Sequence, residues 1–355
     1  MSRIVLTGGG TAGHVTPHLA LIPALLEHGW DIHYVGTEEG IERSLVENIP
    51  GVTYHAIASG KLRRYFDMRN FSDPFRVIKG VFQAQSILHR LKPDLVFAKG
   101  GFVSVPVVYG AFLNHIPVLL HESDMTPGLA NRISKPFAKK LLCNFPEAAR
   151  LAGAKGIYAG TPIRKELLQG SREKGLSLFG FDAQTPVLMV TGGSSGAQAI
   201  NLAVRSALTG LTEKYQVLHL CGKGNVDPAY VGNPRYLQME YLNQEMAHAY
   251  ACADIVVSRA GANTICELLT LAKPMLLIPY PKGKTSRGDQ VDNAASFEAR
   301  GLAKVLQQSD MTADTLLAAV EETYNAREAL TEALRKEPSA DGTNNVLIEI
   351  FKYAR

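Results

Sequence analysis

The residues most able to do chemistry lie in a glycine-rich segment near the start of the chain. Gly8, Gly10 and Gly13 follow the pattern G-x-G-x-x-G, and His14 comes directly after them. Glycines let the backbone approach a ligand closely, and the N–H groups where a helix begins attract a diphosphate. An imidazole at this position titrates in the range that suits proton transfer. Taken alone, the segment fits a dinucleotide site, a nucleotide-sugar site, or a tight turn in which His14 caps the helix or bonds within the loop.

A similar unit occurs in the second half of the chain. Residues 186–190 read as a buried strand that runs into a second glycine-rich loop, residues 191–197. The first loop has the same setting, because the apolar strand pattern of residues 3–7 precedes it and a helical pattern follows it. Two strand–loop–helix units, one at the start of each half, predict two Rossmann-like domains.

Glu267 is a further candidate, and its spacing allows two interpretations. Thr264 and Glu267 fit the capping box S/T-x-x-E, which would make Glu267 part of a helix start. The alternative is a carboxylate that binds a ligand. The polar loop of residues 286–293, which contains Gln290, is either a solvated turn or part of the same site.

The composition describes an ordinary globular protein. The 355 residues suit two domains of about 150 to 180 residues each. A net charge of +4 does not indicate a nucleic-acid partner. The four cysteines are dispersed, which favours reduced core thiols over a zinc site or a disulfide framework. Residues 1–7 enter a strand directly, so we expect no signal peptide.

Strand and helix patterns alternate along the whole chain, which predicts parallel sheets covered by helices. Such sheets bind ligands at the carboxyl edge of their strands. We place a domain boundary near residue 162, where the composition becomes more polar, and a final helix after the break at residues 338–342. The predicted strands are residues 3–7, 31–35, 52–57, 95–98, 118–120, 139–143, 156–159, 186–190, 217–220, 255–257 and 275–278, the last clear one.

Residues 61–92 are both basic and aromatic. They contain eight Lys or Arg residues against two Asp, with Phe, Tyr and aliphatic residues between them. A basic amphipathic segment of this kind suits an anionic membrane surface. The alternative is a helix whose apolar face lies in the core and whose basic face is only solvated.

Taken together, six motifs make the chain resemble the MurG family of bacterial cell-wall glycosyltransferases. These enzymes add N-acetylglucosamine from UDP-GlcNAc to the lipid-linked muramyl-peptide intermediate lipid I. The resemblance covers essentially the whole chain, and residues 59–64 and 121–124 look like the version found in low-GC Gram-positive bacteria. The motifs are residues 8–14, 100–106, 121–122, 192–196, 258–262 with Glu267, and Asp289-Gln290 with Asn293.

The resemblance implies the GT-B fold, an α/β architecture of two Rossmann-like domains with parallel sheets facing across a cleft. Residues 1–162 would form the acceptor and membrane-facing domain, residues 163–337 the UDP-GlcNAc domain, and residues 338–355 a helix that returns to the first. By resemblance, the donor would contact Thr11, Ala12, Gly13, Arg164, Ser194, Glu267 and Gln290. The acceptor would contact Gly100, Gly101, His121, Glu122 and Asn131.

The implied reaction inverts the configuration at the anomeric carbon of the donor sugar. His14 and Glu267 are the expected catalytic residues, with His14 as the base and Glu267 on the ribose hydroxyls. His121 and Glu122 could orient neighbouring groups. The chain has no Asp-x-Asp pair, so we expect no obligatory metal and no cofactor. The expected partners are UDP-GlcNAc, lipid I and an anionic membrane surface, with the protein peripheral on the cytoplasmic face of the cell membrane.

Other functions remain as alternatives. An NAD-dependent oxidoreductase would use the first glycine loop, with Glu38 or Glu39 as the ribose-binding acid. The second glycine unit and Glu267 argue against it, because they place a nucleotide site in the other half of the chain. Two further alternatives are a nucleotide-sugar binder without turnover and another GT-B transferase or UDP-GlcNAc epimerase. Ser123 and Asp124 depart from the Gln-Asn pair that many family members carry, so no role is transferred to them.

Overall fold

The computed structural model describes residues 1–60, 69–193, 196–283, 286 and 288–354. The chain divides into two compact units, one of Met1–Arg164 with Asp341–Arg355 and the other of Lys165–Ala340. Each unit contains one parallel sheet with helices packed on it. The predicted α/β class with two Rossmann-like domains is confirmed.

The first unit contains a seven-stranded sheet. Its strands are β1 (Arg3–Thr7), β2 (Asp31–Thr37), β3 (Val52–Ile57), β4 (Leu95–Ala98), β5 (Val118–Glu122), β6 (Lys140–Cys143) and β7 (Gly156–Tyr158). Its first helices are α1 (Thr16–Glu27), α2 (Ile41–Val46), α3 (Arg69–Leu91), α4 (Ser104–Leu113), α5 (Leu129–Ser134) and α6 (Pro146–Ala152).

The strand order of this sheet is β3-β2-β1-β4-β5-β6-β7, and every pair is parallel. All residues of β4 and β5 are buried, because helices cover both faces of the sheet. This is why β4 and the first three residues of β5 appear in the sequence as continuous apolar runs. The order reverses between β1 and β4, and in a doubly wound sheet ligands bind at the carboxyl edge beside such a reversal.

The second unit has the same plan with six strands in the order β10-β9-β8-β11-β12-β13. Its strands are β8 (Val187–Thr191), β9 (Gln216–Leu220), β10 (Tyr236–Met239), β11 (Ile255–Ser258), β12 (Met275–Leu277) and β13 (Lys304–Val305). Its helices are α7 (Arg172–Phe179), α8 (Gln198–Ser206), α9 (Leu208–Lys214), α10 (Met246–Cys252), α11 (Ala262–Thr270), α12 (Asp289–Ala299), α13 (Ala313–Asn325) and α14 (Arg327–Lys336).

Two of these strands were not predicted, and the statement that 275–278 is the last clear strand was wrong. The strand β10 lies at one edge of the sheet and only Tyr236 in it is buried, whereas β13 has two residues, both partly exposed. Short edge strands bury too little to leave an apolar run in the sequence. The four cysteines all lie buried, as predicted.

The last helix, α15 (Gly342–Phe351), packs on the first unit although it follows the second in the chain. Val346, Leu347 and Ile350 belong to the hydrophobic core that β1 and α1 form. The Phe351 ring stacks on Trp30, with 6.2 Å between the ring centroids. Among the residues that the structure describes, no helix combines the length and apolar composition needed to span a membrane.

We expect the first unit to lose stability in mild acid because His18 is buried as a neutral ring. Burial lowers the pKa of His18 from 6.5 to about 3. Below pH 6.5 the unfolded chain therefore takes up a proton that the folded unit excludes, and the free energy of unfolding falls by about 1.4 kcal/mol per pH unit. Urea unfolding between pH 7 and 5 measures this slope, with fluorescence from Trp30, the single tryptophan, which lies in the core of this unit.

His18→Asn provides the matched variant, since its amide can replace the ring nitrogen that lies 3.2 Å from the Tyr34 hydroxyl. We expect a lower stability at pH 7 but a shallower dependence on pH. An unchanged slope in the variant would contradict the assignment of the acid sensitivity to His18.

Candidate active site

Two glycine-bearing loops meet at the carboxyl edge of the first sheet. They follow β1 and β4, which are neighbours at the point where the strand order reverses. Gly101 has φ +80°, and a Cβ atom there would overlap the carbonyl oxygen of Gly9. Only glycine allows this contact between the loops. Both loops line a cavity of about 250 Å³, together with the His14 side chain.

The first loop is held from below by two side chains. The Tyr34 hydroxyl donates to the Gly8 carbonyl oxygen at 2.6 Å. The backbone N–H of Gly10 donates to the Glu42 carboxylate at 3.1 Å. The helix α2 begins at Ile41, and Glu42 turns into the core from its first turn.

The partly buried His14 ring is oriented by the same loop. Its Nδ1 lies 2.9 Å from the Gly9 carbonyl oxygen and 3.1 Å from Thr11 Oγ1. Because a carbonyl oxygen only accepts, Nδ1 carries the proton, and Nε2 is left as the basic nitrogen. A His14 hydrogen bond within the loop was the alternative to a catalytic role. The bond to the Gly9 carbonyl is compatible with catalysis, because it leaves Nε2 able to accept a proton.

The electrostatic surroundings keep His14 neutral at pH 7. Burial lowers the pKa of His14, and the charge of Lys99 lowers it further. The Gly9 carbonyl and the carboxylates of Asp124 and Glu42 oppose this shift. A neutral imidazole is the form that a general base requires.

His121 and the buried Lys99 form a pair beneath the second loop. Lys99 Nζ lies 2.7 Å from His121 Nδ1 and also donates to the hydroxyl of Ser123. The other nitrogen of His121 donates to the Gly160 carbonyl at 2.8 Å. Burial and the charge of Lys99 place the pKa of His121 well below its ordinary value. The His121 ring is fully enclosed.

Glu122 and Asn131 lie beside this pair. The Glu122 carboxylate accepts from the N–H groups of Asp124 and Gly128 and from Asn131 Nδ2, at 2.9 to 3.1 Å. Asn131 Oδ1 is buried and has no hydrogen-bond partner among the described residues. A Cβ atom on Gly100 would lie 3.6 Å from that oxygen. The structure thus brings Asn131 to the second glycine loop, and acceptor contacts by these residues stay predictions.

The second unit repeats the arrangement at its own strand reversal, between β8 and β11. Gly196 has φ +74°, and a Cβ atom there would overlap the carbonyl oxygen of Cys221. Ser194, predicted to contact the diphosphate, lies outside the described residues. The loop after β11 carries Arg259, which donates to the Ile278 carbonyl and to Gln308.

Glu267 is not a helix-capping residue, so the capping-box interpretation was wrong. The helix α11 begins at Ala262, with Gly261 before it and no side-chain cap, and Thr264 lies inside the helix. The end of β11 determines where this helix begins. The Glu267 carboxylate is partly buried and accepts from the Tyr250 hydroxyl at 3.2 Å. A carboxylate oriented in this way can accept bonds from sugar hydroxyls.

Gln290 is the second residue of α12 and has a defined orientation. Its Oε1 accepts from the backbone N–H of Tyr280 at 2.9 Å. The amide nitrogen is therefore the end that can donate to a ligand. Arg164, the last residue of the continuous part of the first unit, has a buried Nε without a partner among the described residues. An unpaired guanidinium N–H is suited to an anion.

Within the described ranges, no group of three or more His, Cys, Asp or Glu side chains could hold a metal ion. In the first unit the structure brings together Thr11, His14, Gly101 and the Glu42 side chain that the sequence analysis missed. In the second unit, Glu267 and Gln290 lie on helices that follow the neighbouring strands β11 and β12.

Comparison with known proteins gives a full-length match. The glycosyltransferase family 28 N-terminal domain matches residues 4–143, and the glycosyltransferase family 28 C-terminal domain matches residues 187–346. A Geobacillus kaustophilus protein is 51% identical over 354 residues, 99% of either chain. A Lachnoclostridium phytofermentans protein is 52% identical over 348 residues, 98% of either chain. Both are named UDP-N-acetylglucosamine--N-acetylmuramyl-(pentapeptide) pyrophosphoryl-undecaprenol N-acetylglucosamine transferase.

A solved structure agrees with this match. The crystal structure of Acinetobacter baumannii MurG aligns with a TM-score of 0.80 at 26% identity, covering 99% of this chain and 100% of that one.

Proposed function

The chain belongs to glycosyltransferase family 28, and we propose that it transfers N-acetylglucosamine from UDP-GlcNAc to lipid I to give lipid II. Its two Rossmann-like units are those of the GT-B fold. The observation that carries the proposal is the full-length identity of 51% to a relative named for this reaction. The basic nitrogen of His14 beside two glycine loops supports it chemically.

The donor binds to the second unit in this proposal. Glu267 accepts hydrogen bonds from the ribose hydroxyls, and Gln290 donates its amide N–H groups to hydroxyls of the sugar. Hydrogen bonds to a charged group contribute about 1.5 to 3 kcal/mol, so Glu267 dominates the recognition of the nucleoside. Ser194 and Arg164 contact the diphosphate, and the predicted donor contacts of Thr11, Ala12 and Gly13 are part of the same proposal.

His14 acts as the general base. As the acceptor hydroxyl oxygen attacks the anomeric carbon, its proton moves to Nε2 of His14 and the bond from the anomeric carbon to UDP breaks. Attack from the face opposite to UDP inverts the configuration. Positive charge from Arg164 and from helix N-termini stabilises the departing diphosphate.

The acceptor binds to the first unit. The backbone of Gly100 and Gly101 approaches the diphosphate of lipid I closely, and the orphaned oxygen of Asn131 accepts a hydrogen bond from a hydroxyl or amide group of the acceptor. Lys99 adds positive charge beneath the loop, and His121 and Glu122 maintain the local structure.

A lipid acceptor requires the protein to reach a membrane, and we propose that α3 docks on its cytoplasmic face. Phe75, Ile78 and Phe82 lie on one face of α3 and are 74%, 54% and 63% exposed. Arg76 and Lys79 are exposed beside them. An apolar face with flanking cations suits an anionic bilayer surface. The predicted contribution of residues 61–68 lies outside the described residues.

Replacing Phe75, Ile78 and Phe82 together with serine should weaken binding to anionic vesicles by about 100-fold. Each side chain loses roughly 1 kcal/mol of apolar transfer if it inserts only partly. Co-sedimentation with phosphatidylglycerol vesicles measures the change, while transfer to a water-soluble acceptor analogue should continue.

The control is a triple serine variant at Leu151, Leu178 and Val231, which are 69%, 53% and 73% exposed elsewhere on the surface. It removes a similar apolar area and should bind vesicles as the wild type does. If both triple variants bound anionic vesicles equally well, α3 would not be the docking surface, and the alternative of a helix with a solvated basic face would hold.

The function itself is tested with labelled UDP-GlcNAc and a lipid I analogue. We expect a disaccharide product with the inverted linkage and release of UDP. Titration with NADH tests the oxidoreductase alternative, for which we expect no binding. Binding of UDP-GlcNAc without any transfer would favour the binder without turnover and contradict the proposal.

A further inference from the structure

A carboxylate lies completely buried beneath the first glycine loop. Glu42 is 0% exposed, although it belongs to the short surface helix α2. Burying a charged side chain is costly unless its oxygens are fully hydrogen-bonded. A residue of this kind therefore needs a compensating set of donors.

The donors come from the glycine loop and from the end of β2. Oε2 accepts from the Gly10 N–H at 3.1 Å. Oε1 accepts from the Thr37 N–H at 3.0 Å and from the Thr37 hydroxyl at 2.6 Å. Three donors converge on one carboxylate, which is the pattern of an ionised acceptor.

Three glycines provide the space for this side chain. A Cβ atom on Gly9, Gly36 or Gly40 would overlap the Glu42 side chain. None of the three has a positive φ, so their backbone conformation does not itself require glycine. Their common property is contact with Glu42, which indicates that the loop and the carboxylate are built around each other.

The carboxylate reaches the His14 ring through the loop. It holds the N–H of Gly10, and the preceding residue, Gly9, supplies the carbonyl that binds His14 Nδ1. Its charge also acts on the ring directly. The groups facing His14 are Glu42 and Asp124, which raise its pKa, Lys99, which lowers it, and the neutral ring of His18.

We propose that Glu42 is a positioning residue for sugar transfer, which fixes the Gly9–Gly10 backbone so that His14 is held with Nε2 ready to accept the proton. This inference rests on the proposed role of His14 as the base. Because Glu42 is fully buried beneath the loop, it acts on the reaction through the loop.

The test compares Glu42→Gln with two controls. The glutamine has nearly the same volume, but only its oxygen accepts hydrogen bonds. Whichever way the amide is oriented, its NH₂ group faces the Gly10 donor or the Thr37 donors, which then lack an acceptor. Misplacement of His14 should lower kcat by up to about 100-fold while KM for UDP-GlcNAc is unchanged. Loss of the negative charge should also lower the pKa of His14, which NMR titration of histidine-labelled protein measures. The acid limb of kcat/KM should move to lower pH in parallel.

Glu38→Gln removes an acid of the same charge that is exposed and pairs with Arg43. We expect its kcat and the pKa of His14 to match the wild type. Thr37→Val removes one hydrogen bond to Glu42 but leaves the charge, so the pKa of His14 should stay unchanged. Glu42→Asp covers a failure of the glutamine variant to fold, because it keeps the charge but cannot reach Gly10, and its kcat should fall.

A Glu42→Gln protein with the wild-type kcat and the wild-type pKa of His14 would overturn the proposal. So would a fall in kcat accompanied by an equal fall in Glu38→Gln. Failure of the proposed function is seen separately, as absence of transfer in the wild type. In that case the NMR titration still decides whether Glu42 controls the His14 ring.

Discussion

Replacing His14 with alanine will lower the turnover of sugar transfer by about 100-fold to 10,000-fold, the usual contribution of a positioned general base. The Nδ1 bond to the Gly9 carbonyl leaves Nε2 as the only basic atom of the ring. Because the variant lacks this atom, it should lose general-base catalysis but keep its affinity for UDP-GlcNAc. Steady-state assays should therefore show a lower kcat with little change in KM for UDP-GlcNAc.

The dependence of kcat/KM on pH provides a second test of His14 as the base. The pKa of His14 is lowered by its burial and by Lys99, so the ring stays neutral until the pH falls below the ordinary value of 6.5. Wild-type kcat/KM should thus decline only on the acid side, and the alanine variant should lack this limb. His55→Ala is the matched control, since it removes an imidazole that bonds His33 within the sheet of the same unit. A His14→Ala enzyme with the turnover of the control would exclude His14 as the base.

Replacing Glu267 with glutamine will weaken donor binding by about 10-fold to 150-fold, which corresponds to the loss of 1.5 to 3 kcal/mol in hydrogen bonds to a charged group. The Tyr250 hydroxyl orients the carboxylate, so Tyr250→Phe should have a smaller effect in the same direction. Calorimetric titration with UDP-GlcNAc and with UDP measures both variants.

The proposed contact between Glu267 and the ribose can be tested with a UDP-GlcNAc analogue that lacks the 2′-hydroxyl of the ribose. The wild type should bind this donor less tightly, and Glu267→Gln should no longer distinguish it from UDP-GlcNAc. Glu298→Gln is the control, because Glu298 is an exposed acid on α12 of the same unit. Full discrimination by the Glu267 variant would remove the ribose assignment.

The oxidoreductase alternative depended on Glu38 or Glu39 after the second strand, and the structure gives a reason against Glu38. Glu38 is exposed and paired with Arg43. The acid that does lie at the glycine loop is Glu42, and its oxygens accept hydrogen bonds from Gly10 and Thr37. It is therefore committed to the loop and does not present a carboxylate to a ribose. The family match is consistent with this reason.

Local patterns predicted most of the elements, since each depends on neighbours in the chain. Apolar runs such as residues 3–7 and 95–98 are strands with the predicted bounds. The short edge strands β10 and β13 bury few residues and left no such run. The capping-box interpretation of Thr264 and Glu267 was wrong. The helix α11 begins at Ala262, close to the end of β11, and Thr264 matched a capping residue only in its spacing from Glu267.

The amino-acid sequence by itself determined the two glycine-loop units, the parallel α/β class and the identity of His14, because these follow from local apolar periodicity and from residue type. Only the tertiary structure decided which loops meet. The strand order makes β1 and β4 neighbours, although many residues separate them in the chain. It also decided that Glu42 lies under the loop and that His121 is enclosed, since burial and hydrogen bonding depend on contacts between residues distant in sequence.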